Sequence, residues 1–413
     1  MKILMLKPYY TPESVSSSHL SKDMMEAYLA QEDVTIEIHT PYPTRGVSDE
    51  VRKDYIKNKK HEVLENGRLV VHRFPMIKEG RNSLLRAFRY TLCIIANTIN
   101  GLKAKDVDVF TISSTPPING LMMAVLKTFK KYKIEYSLQD IFPDSLVNTG
   151  MTKKGSILWK IGRVIENITY KSADKIIVIS EDFKKNIMSK GVPEEKIEVI
   201  YNWVDENQVV NVAREDNPLY DKFGLDRNKF YICYSGNVGY TQNLDMLKAV
   251  AKKLEAYEDI EFIIIGEGAY KEKLITELEE ENISNIKIFP FQDYSDISYV
   301  FSLGDAGLVI SKKGVGTNSV PSKTWSIMSA QRPVLASFDK GSELDSIITE
   351  NKCGICVDAD DVDAFSDAVV EMYNNKDLLK VMGGKGRSFI LENLTKETGT
   401  KKRLDSMRNM LNK

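Results

Sequence analysis

The chain has 413 residues, a net charge of -1 and an apolar share of 42%, an ordinary globular composition on a length too great for one hydrophobic core. Four cysteines exclude a disulfide framework, the four histidines (His19, His39, His61, His72) show no metal-site spacing, and no apolar run is long enough to span a bilayer. Residues 1–205 carry 31 Lys+Arg against 25 Asp+Glu, a net of +6, and the remainder 26 against 33, a net of -7, so the first half is the one expected to meet an anionic surface.

In chain order, Lys2–Leu6 reads as a strand and not a secretory leader, because only four apolar residues separate Lys2 from Lys7 before a proline. A cytoplasmic location is therefore expected. The helix Ser18–Leu29 follows, then strands Val34–His39, Leu69–Phe74, Val107–Ile112, Ile134–Leu138 and Lys175–Ile179 with helices between them. After Asn202-Trp203-Val204-Asp205 the alternation pauses in a polar stretch and restarts at the strand Phe230–Ser235. A helix Leu244–Tyr257 and strands Glu261–Ile265, Ile286–Phe289, Gly307–Ile310, Val334–Ala336 and Gly354–Val357 complete the second half. The expected domains are 1–205 and 206–394, with a helical tail at 395–413 returning to the first. Strand–helix alternation predicts an α/β fold of two Rossmann-like domains facing across a cleft.

The turn after the first strand, KPYYTPESVSSS, has no glycine, and that after Phe230–Ser235, SGNVGYTQN, has only a GxxG. Neither is a dinucleotide fingerprint and no P-loop is present, so no cofactor is expected. Cys353 and Cys356 form a lone CxxC in a turn leading into a strand, and are taken as structural.

The most informative segment is Asp305–Ser337: strand, glycine-bearing loop through Gly314 and Gly316, helix opening on Pro321, strand. Such a unit turns unpaired helix N–H groups toward the carboxyl end of a parallel sheet, where phosphates bind. Ser319 and Ser322 also suit a helix cap. Gly236 to Gly239 ends the first strand of the second half and opens onto the same edge, letting backbone approach a ligand.

Seven segments in order carry a resemblance: LMLKPYYTPE, SLQDIFPDSLVNTG, ADKIIVISEDFKKNI, IYNWVD, CYSGNVGYTQNLDML, IIGEGAYKEKL and VPSKTWSIMSAQRPVLAS. Together they resemble GT-B glycosyltransferases of family 4, closest to bacterial capsule and O-antigen transferases that move deoxy-amino sugars such as N-acetylfucosamine. The resemblance implies a nucleotide-sugar donor, retention of anomeric configuration, no metal ion, and a donor site at Gly236, Asn237, Gly239, Gln242, Gly266, Asn318, Ser319, Val320, Lys323, Ser326 and Glu343. The family's diphosphate-facing arginine and lysine fall on Asn237 and Gln242, and its two glutamates on Asn318 and Ser326, so all four charges are replaced by neutral polar groups. Lys312, Lys313, Lys323 and Arg332 are the candidates to neutralise the diphosphate in their place, with the helix N-termini after Gly239 and Pro321.

Asp140, at the end of the strand Ile134–Leu138, is the candidate to contact or deprotonate an acceptor hydroxyl; Asp144 reads as a turn cap. The stripe Leu85, Phe88, Leu92, Ile95, Ile99, Leu102 has helical spacing beside Arg81, Arg86 and Arg89. Residues 81–105 are thus either a basic amphipathic helix on an anionic leaflet or an ordinary core-facing helix. The expected function is transfer of a UDP-linked sugar to a lipid-linked or oligosaccharide acceptor in surface polysaccharide synthesis, peripherally at the inner face of the cell membrane and without nucleic acid. Two rivals stand beside it: a nucleotide-sugar epimerase or hydrolase, and a non-catalytic nucleotide-sugar-binding partner subunit.

Overall fold

The computed structural model describes residues 1–13, 18–79, 82–148, 150–316 and 320–412. It divides into two compact units, one formed by residues 1–201 with 399–413 and the other by 202–398.

The first unit is built on an eight-stranded sheet: β1 (Lys2–Leu6), β2 (Thr35–Pro41), β3 (His61–Leu64), β4 (Leu69–Phe74), β5 (Val109–Ser113), β6 (Lys133–Leu138), β7 (Lys175–Val178) and β8 (Ile197–Val199), in the order β3-β4-β2-β1-β5-β6-β7-β8. All pairings are parallel except β3 with β4. The central strands are apolar on both faces, as a parallel sheet covered by helices requires. β3 and β8 are the two strands the pattern does not announce: β3 is largely exposed and lacks apolar alternation, and β8 has three residues.

One sheet face packs Ile3, Met5, Ile36, Ile38, Leu69, Val71 and Val109 against Leu404, Met407 and Met410 of the helix Lys396–Leu411. Burial of those three side chains stabilises by roughly 1.5–3 kcal/mol each. Arg403 of that helix donates to Glu135 at 2.7 Å and to Ser137 Oγ at 3.2 Å, with both charged groups buried. The contact fixes the helix rotation, since removing one partner would leave the other charge uncompensated.

The second unit has a six-stranded, wholly parallel sheet: β9 (Phe230–Ser235), β10 (Ile260–Ile265), β11 (Ile286–Phe289), β12 (Ala306–Ile310), β13 (Val334–Ser337) and β14 (Gly354–Val357), in the order β11-β10-β9-β12-β13-β14. Counted from its own first strand this is 3-2-1-4-5-6, the doubly wound Rossmann order, and its topological switch lies between β9 and β12. Arg387 donates to the carbonyls of Glu206, Val209 and Ser329, stapling the start of the unit to the helix Lys323–Ser329. Cys353 and Cys356 are buried, unpaired thiols pushed up to about 11 and about 12 by burial, a packing role.

Candidate functional site

At the carboxyl ends of β9, β10 and β12 three loops lock together. Gly236 N–H donates to Ile265 O, Val238 N–H to Glu267 O, Tyr270 N–H to Val238 O, and Lys312 N–H to Thr241 O. Gly236 has φ +147°, which favours glycine. A Cβ on Gly266 would stand 2.0 Å from Gly236 O, and one on Gly268 2.2 Å from Val238 O, so the backbones meet closer than any side chain permits. Gly239 N–H donates to Gln242 Oε1 at 3.1 Å, and the Asn237 amide reaches the same oxygen at 3.3 Å. The two neutral residues at the family's charged positions therefore bond to each other across the turn.

Of the four cations expected to neutralise a diphosphate, the structure separates one. Lys313 is paired with Asp358 at 2.8 Å. Arg332 precedes β13, at the opposite end of the sheet, and donates to Val212 O and Ser302 O. Lys312 is exposed. Lys323 behaves differently. Its ammonium lies 3.7 Å from the Tyr234 ring centroid and 3.3 Å from where a Gly236 Cβ would stand. It has no carboxylate or hydrogen-bond partner among the described residues, and burial lowers its pKa to about 7. Tyr234 is fixed in turn by its hydroxyl, which donates to Asn237 O at 2.7 Å.

The helix begins at Lys323 and not at Pro321, whose carbonyl instead accepts from Thr324 N–H in a preceding turn; Ser322 occupies the cap position without a side-chain capping bond. Val320 and Ser326 are half-buried, Ser326 one turn beyond Lys323. Asn318 and Ser319 lie outside the described residues. Glu343 opens a helix capped by Ser342, in the segment after β13. Asp339, which the sequence did not single out, accepts from Gly314 and Gly316 N–H at 2.7–3.0 Å and shapes the loop after β12. Tyr234 was missed as well, because a tyrosine in a buried strand carries no signal of what will fold over its ring.

In the first unit Asp140 follows β6. Its backbone N–H donates to Ser114 Oγ at 3.2 Å, while its carboxylate makes no hydrogen bond or ion pair among the described residues. The protein packed beneath raises its pKa, yet the residue is exposed, so solvent limits the effect. Asp144 is paired with Lys190 at 2.6 Å, and Lys190 also with Glu166 at 2.8 Å, a structural network.

The helix Ser83–Lys103 departs from the core-facing alternative and corrects the expectation for Arg89. Its apolar stripe is not core-facing: Leu85, Phe88, Ile95 and Ile99 are 47–56% exposed, while Arg89, Cys93, Asn97 and Gly101 form the buried face. Arg89 is consequently unavailable to an anionic surface; it donates to Thr44 Oγ1 at 3.1 Å and stacks 4.7 Å from the Tyr9 centroid. Arg86 is exposed, and Arg81 lies outside the described residues. Among the described residues no helix is long and apolar enough to cross a membrane.

Comparison with known proteins matches residues 25–208 to the Glycosyltransferase Family 4 model and residues 217–389 to the Glycosyl transferases group 1 model. WbjE of Pseudomonas aeruginosa, which carries a glycosyltransferase name, is 26% identical over 77% of this chain and 77% of its own. WcaI of Escherichia coli K12, assigned by name to colanic acid biosynthesis, is 24% identical over 88% of this chain and 90% of its own. Anabaena Alr3699/HepE, solved in complex with UDP and glucose, superimposes with a TM-score of 0.72 at 13% identity, covering 99% of this chain and 100% of that one. A family 4 domain followed by a group 1 domain on two doubly wound sheets makes this chain a member of the GT-B glycosyltransferases.

Proposed function

We propose that the chain is a retaining, metal-independent glycosyltransferase that takes a sugar from a UDP-sugar and passes it to a lipid-linked or saccharide acceptor in surface polysaccharide synthesis. The observation that carries the donor assignment is the Lys323 ammonium, unpaired among the described residues, beside the Gly236 turn at the switch of a doubly wound sheet. It supplies the positive charge that Asn237, Gln242, Asn318 and Ser326 do not. A diphosphate there gains a charge-assisted hydrogen bond from Lys323, and as the glycosidic bond breaks the same ammonium stabilises the charge that accumulates on the leaving phosphate. The UDP complex of Alr3699/HepE and the name of WcaI favour UDP and a polysaccharide product. In this reading Asp140 receives or orients the acceptor hydroxyl proton.

We also infer that the first unit docks on an anionic membrane. The exposed apolar side chains of Ser83–Lys103 have neighbours of the same kind: the helix Asn119–Phe129 packs beside it, and Ile157–Ser172 beside that. On the third helix Ile157, Leu158, Ile161 and Val164 are 50–79% exposed, with Lys153, Lys154 and Lys160 exposed around them and its one acid, Glu166, buried. Outward apolar residues ringed by cations suit the headgroup boundary of an anionic leaflet.

Incubation of the full chain with radiolabelled UDP-, GDP- and dTDP-sugars and a membrane lipid extract tests the reading. Transfer to lipid from a UDP-sugar supports it. Release of free sugar without any acceptor would favour a hydrolase, and binding without turnover of any donor a non-catalytic subunit.

A further inference from the structure

Three of the four histidines, scattered at positions 39, 61 and 72, meet on one patch of the first unit's sheet. Strand register assembles them. Glu37 and His39 are two residues apart on β2 and so share a face. His39 pairs in register with His72 on β4, and His72 with His61 on β3.

The imidazoles of His39 and His72 stack with centroids 4.7 Å apart, and those of His61 and His72 lie tilted with centroids 4.6 Å apart. His39 Nε2 lies 2.7 Å from Glu37 Oε1, and His61 Nδ1 lies 3.2 Å from His72 Nδ1. One ligating atom from each of Glu37, His39 and His72 falls within 4.8 Å of the others. We propose that Glu37, His39 and His72 form a binding site for a divalent transition-metal ion, with His61 or water completing its coordination.

Two imidazoles and one carboxylate form a borderline donor set that suits zinc and its neighbours more than calcium or magnesium. With Zn–N distances of about 2.0–2.1 Å, ligand atoms on a tetrahedron stand about 3.3 Å apart. The His61–His72 nitrogen separation already matches such an edge, and rotation of the His39 ring and the Glu37 carboxylate would close the remaining gap. All three principal ligands are half-buried, held by strands yet open to solution. The competing cation is Lys2, whose ammonium lies 2.8 Å from Glu37 Oε2 and leaves Oε1 as the ligating oxygen. An ion here would clasp β2 to β4, and through His61 would tie down β3, the exposed edge strand. The site lies on a different unit from the loops after β9 and β10.

The test is calorimetric titration of the untagged, chelator-stripped full chain with zinc chloride. One equivalent should bind with micromolar or tighter affinity. His72→Gln and His39→Gln should each weaken binding at least tenfold, and His19→Gln should leave it unchanged. Circular dichroism of each variant establishes that the fold is retained, and Glu37→Gln provides a third variant of nearly unchanged shape. Absence of a stoichiometric phase in the wild type, or unchanged affinity in the folded His39→Gln/His72→Gln double variant, would overturn the proposal.

Discussion

The Lys323 ammonium rests 3.7 Å from the centre of the Tyr234 ring with no acid among the described residues to pair it, and burial holds its pKa at about 7 against the ordinary 10.5. A lysine whose folded pKa lies below its unfolded value costs stability wherever the unfolded chain holds the extra proton. That cost is complete below pH 7 and fades as the pH climbs from about 7 to 10.5. Lys323→Met should therefore melt higher than wild type at pH 6.5, with the difference narrowing toward pH 10, as calorimetric scans across that range can check. Equal melting at both ends would mean that the ammonium is well solvated.

The glycines of the loops after β9 and β10 should separate into two kinds. A Cβ at position 266 meets the Gly236 carbonyl at 2.0 Å, and backbone cannot step aside. Gly266→Ala should lose about 1–3 kcal/mol of stability by overpacking. At position 239 the nearest atoms are the mobile ends of Asn237 and Gln242, at 2.5 and 2.7 Å. Gly239→Val should keep its melting temperature yet bind UDP-sugar at least tenfold more weakly, because it drives Gln242 off the turn. Wild-type affinity in that variant would reduce the loop to a connector.

Asp140→Asn preserves size and most hydrogen bonding but cannot take a proton. If the carboxylate serves the acceptor, the transfer rate falls by about 10²–10⁴ with donor affinity nearly unchanged. Steady-state kinetics against both substrates decide it, and a variant with most of its rate intact would leave the donor phosphate as the base.

Membrane docking is best probed through the outward apolar residues. Phe88→Asp with Ile161→Asp should release the protein from anionic vesicles in a flotation assay, since each buried side chain of this size contributes roughly 1.5–3 kcal/mol. Arg86→Glu should weaken binding by about 1 kcal/mol. Arg89→Glu is uninformative, because it would place a carboxylate where a buried guanidinium now bonds Thr44. Wild-type protein that ignores such vesicles would remove the idea.

How legible all this was depended on range. The parallel strands announced themselves because buried runs such as IEFIII have no competing interpretation, and the helix Ser18–Leu29 matched to the residue. β3 stayed hidden because HEVL gains its place from pairing with β4 and not from its own pattern. The helix Ser83–Lys103 was identified as amphipathic with two readings open, because periodicity cannot say which face is turned inward; the packing of Cys93, Asn97 and Gly101 puts the polar face inside. Lys323 was one of four candidate cations in the sequence. What distinguishes it is a ring 89 positions away near the end of β9, a relationship of sheet topology and not of spacing. The histidine patch is likewise a product of strand register.

The central claim is that Lys323 holds the donor diphosphate. Such binding takes up a proton whenever the free lysine is neutral, so affinity should fall as pH rises past 7. Titrating the full chain with a UDP-sugar at pH 6 and pH 8 is the most direct test. Wild type should bind about tenfold more weakly at pH 8, while Lys323→Met should bind about 10- to 100-fold more weakly than wild type at pH 6 and show no such change with pH. Equal affinity for wild type and variant at pH 6 would contradict the account.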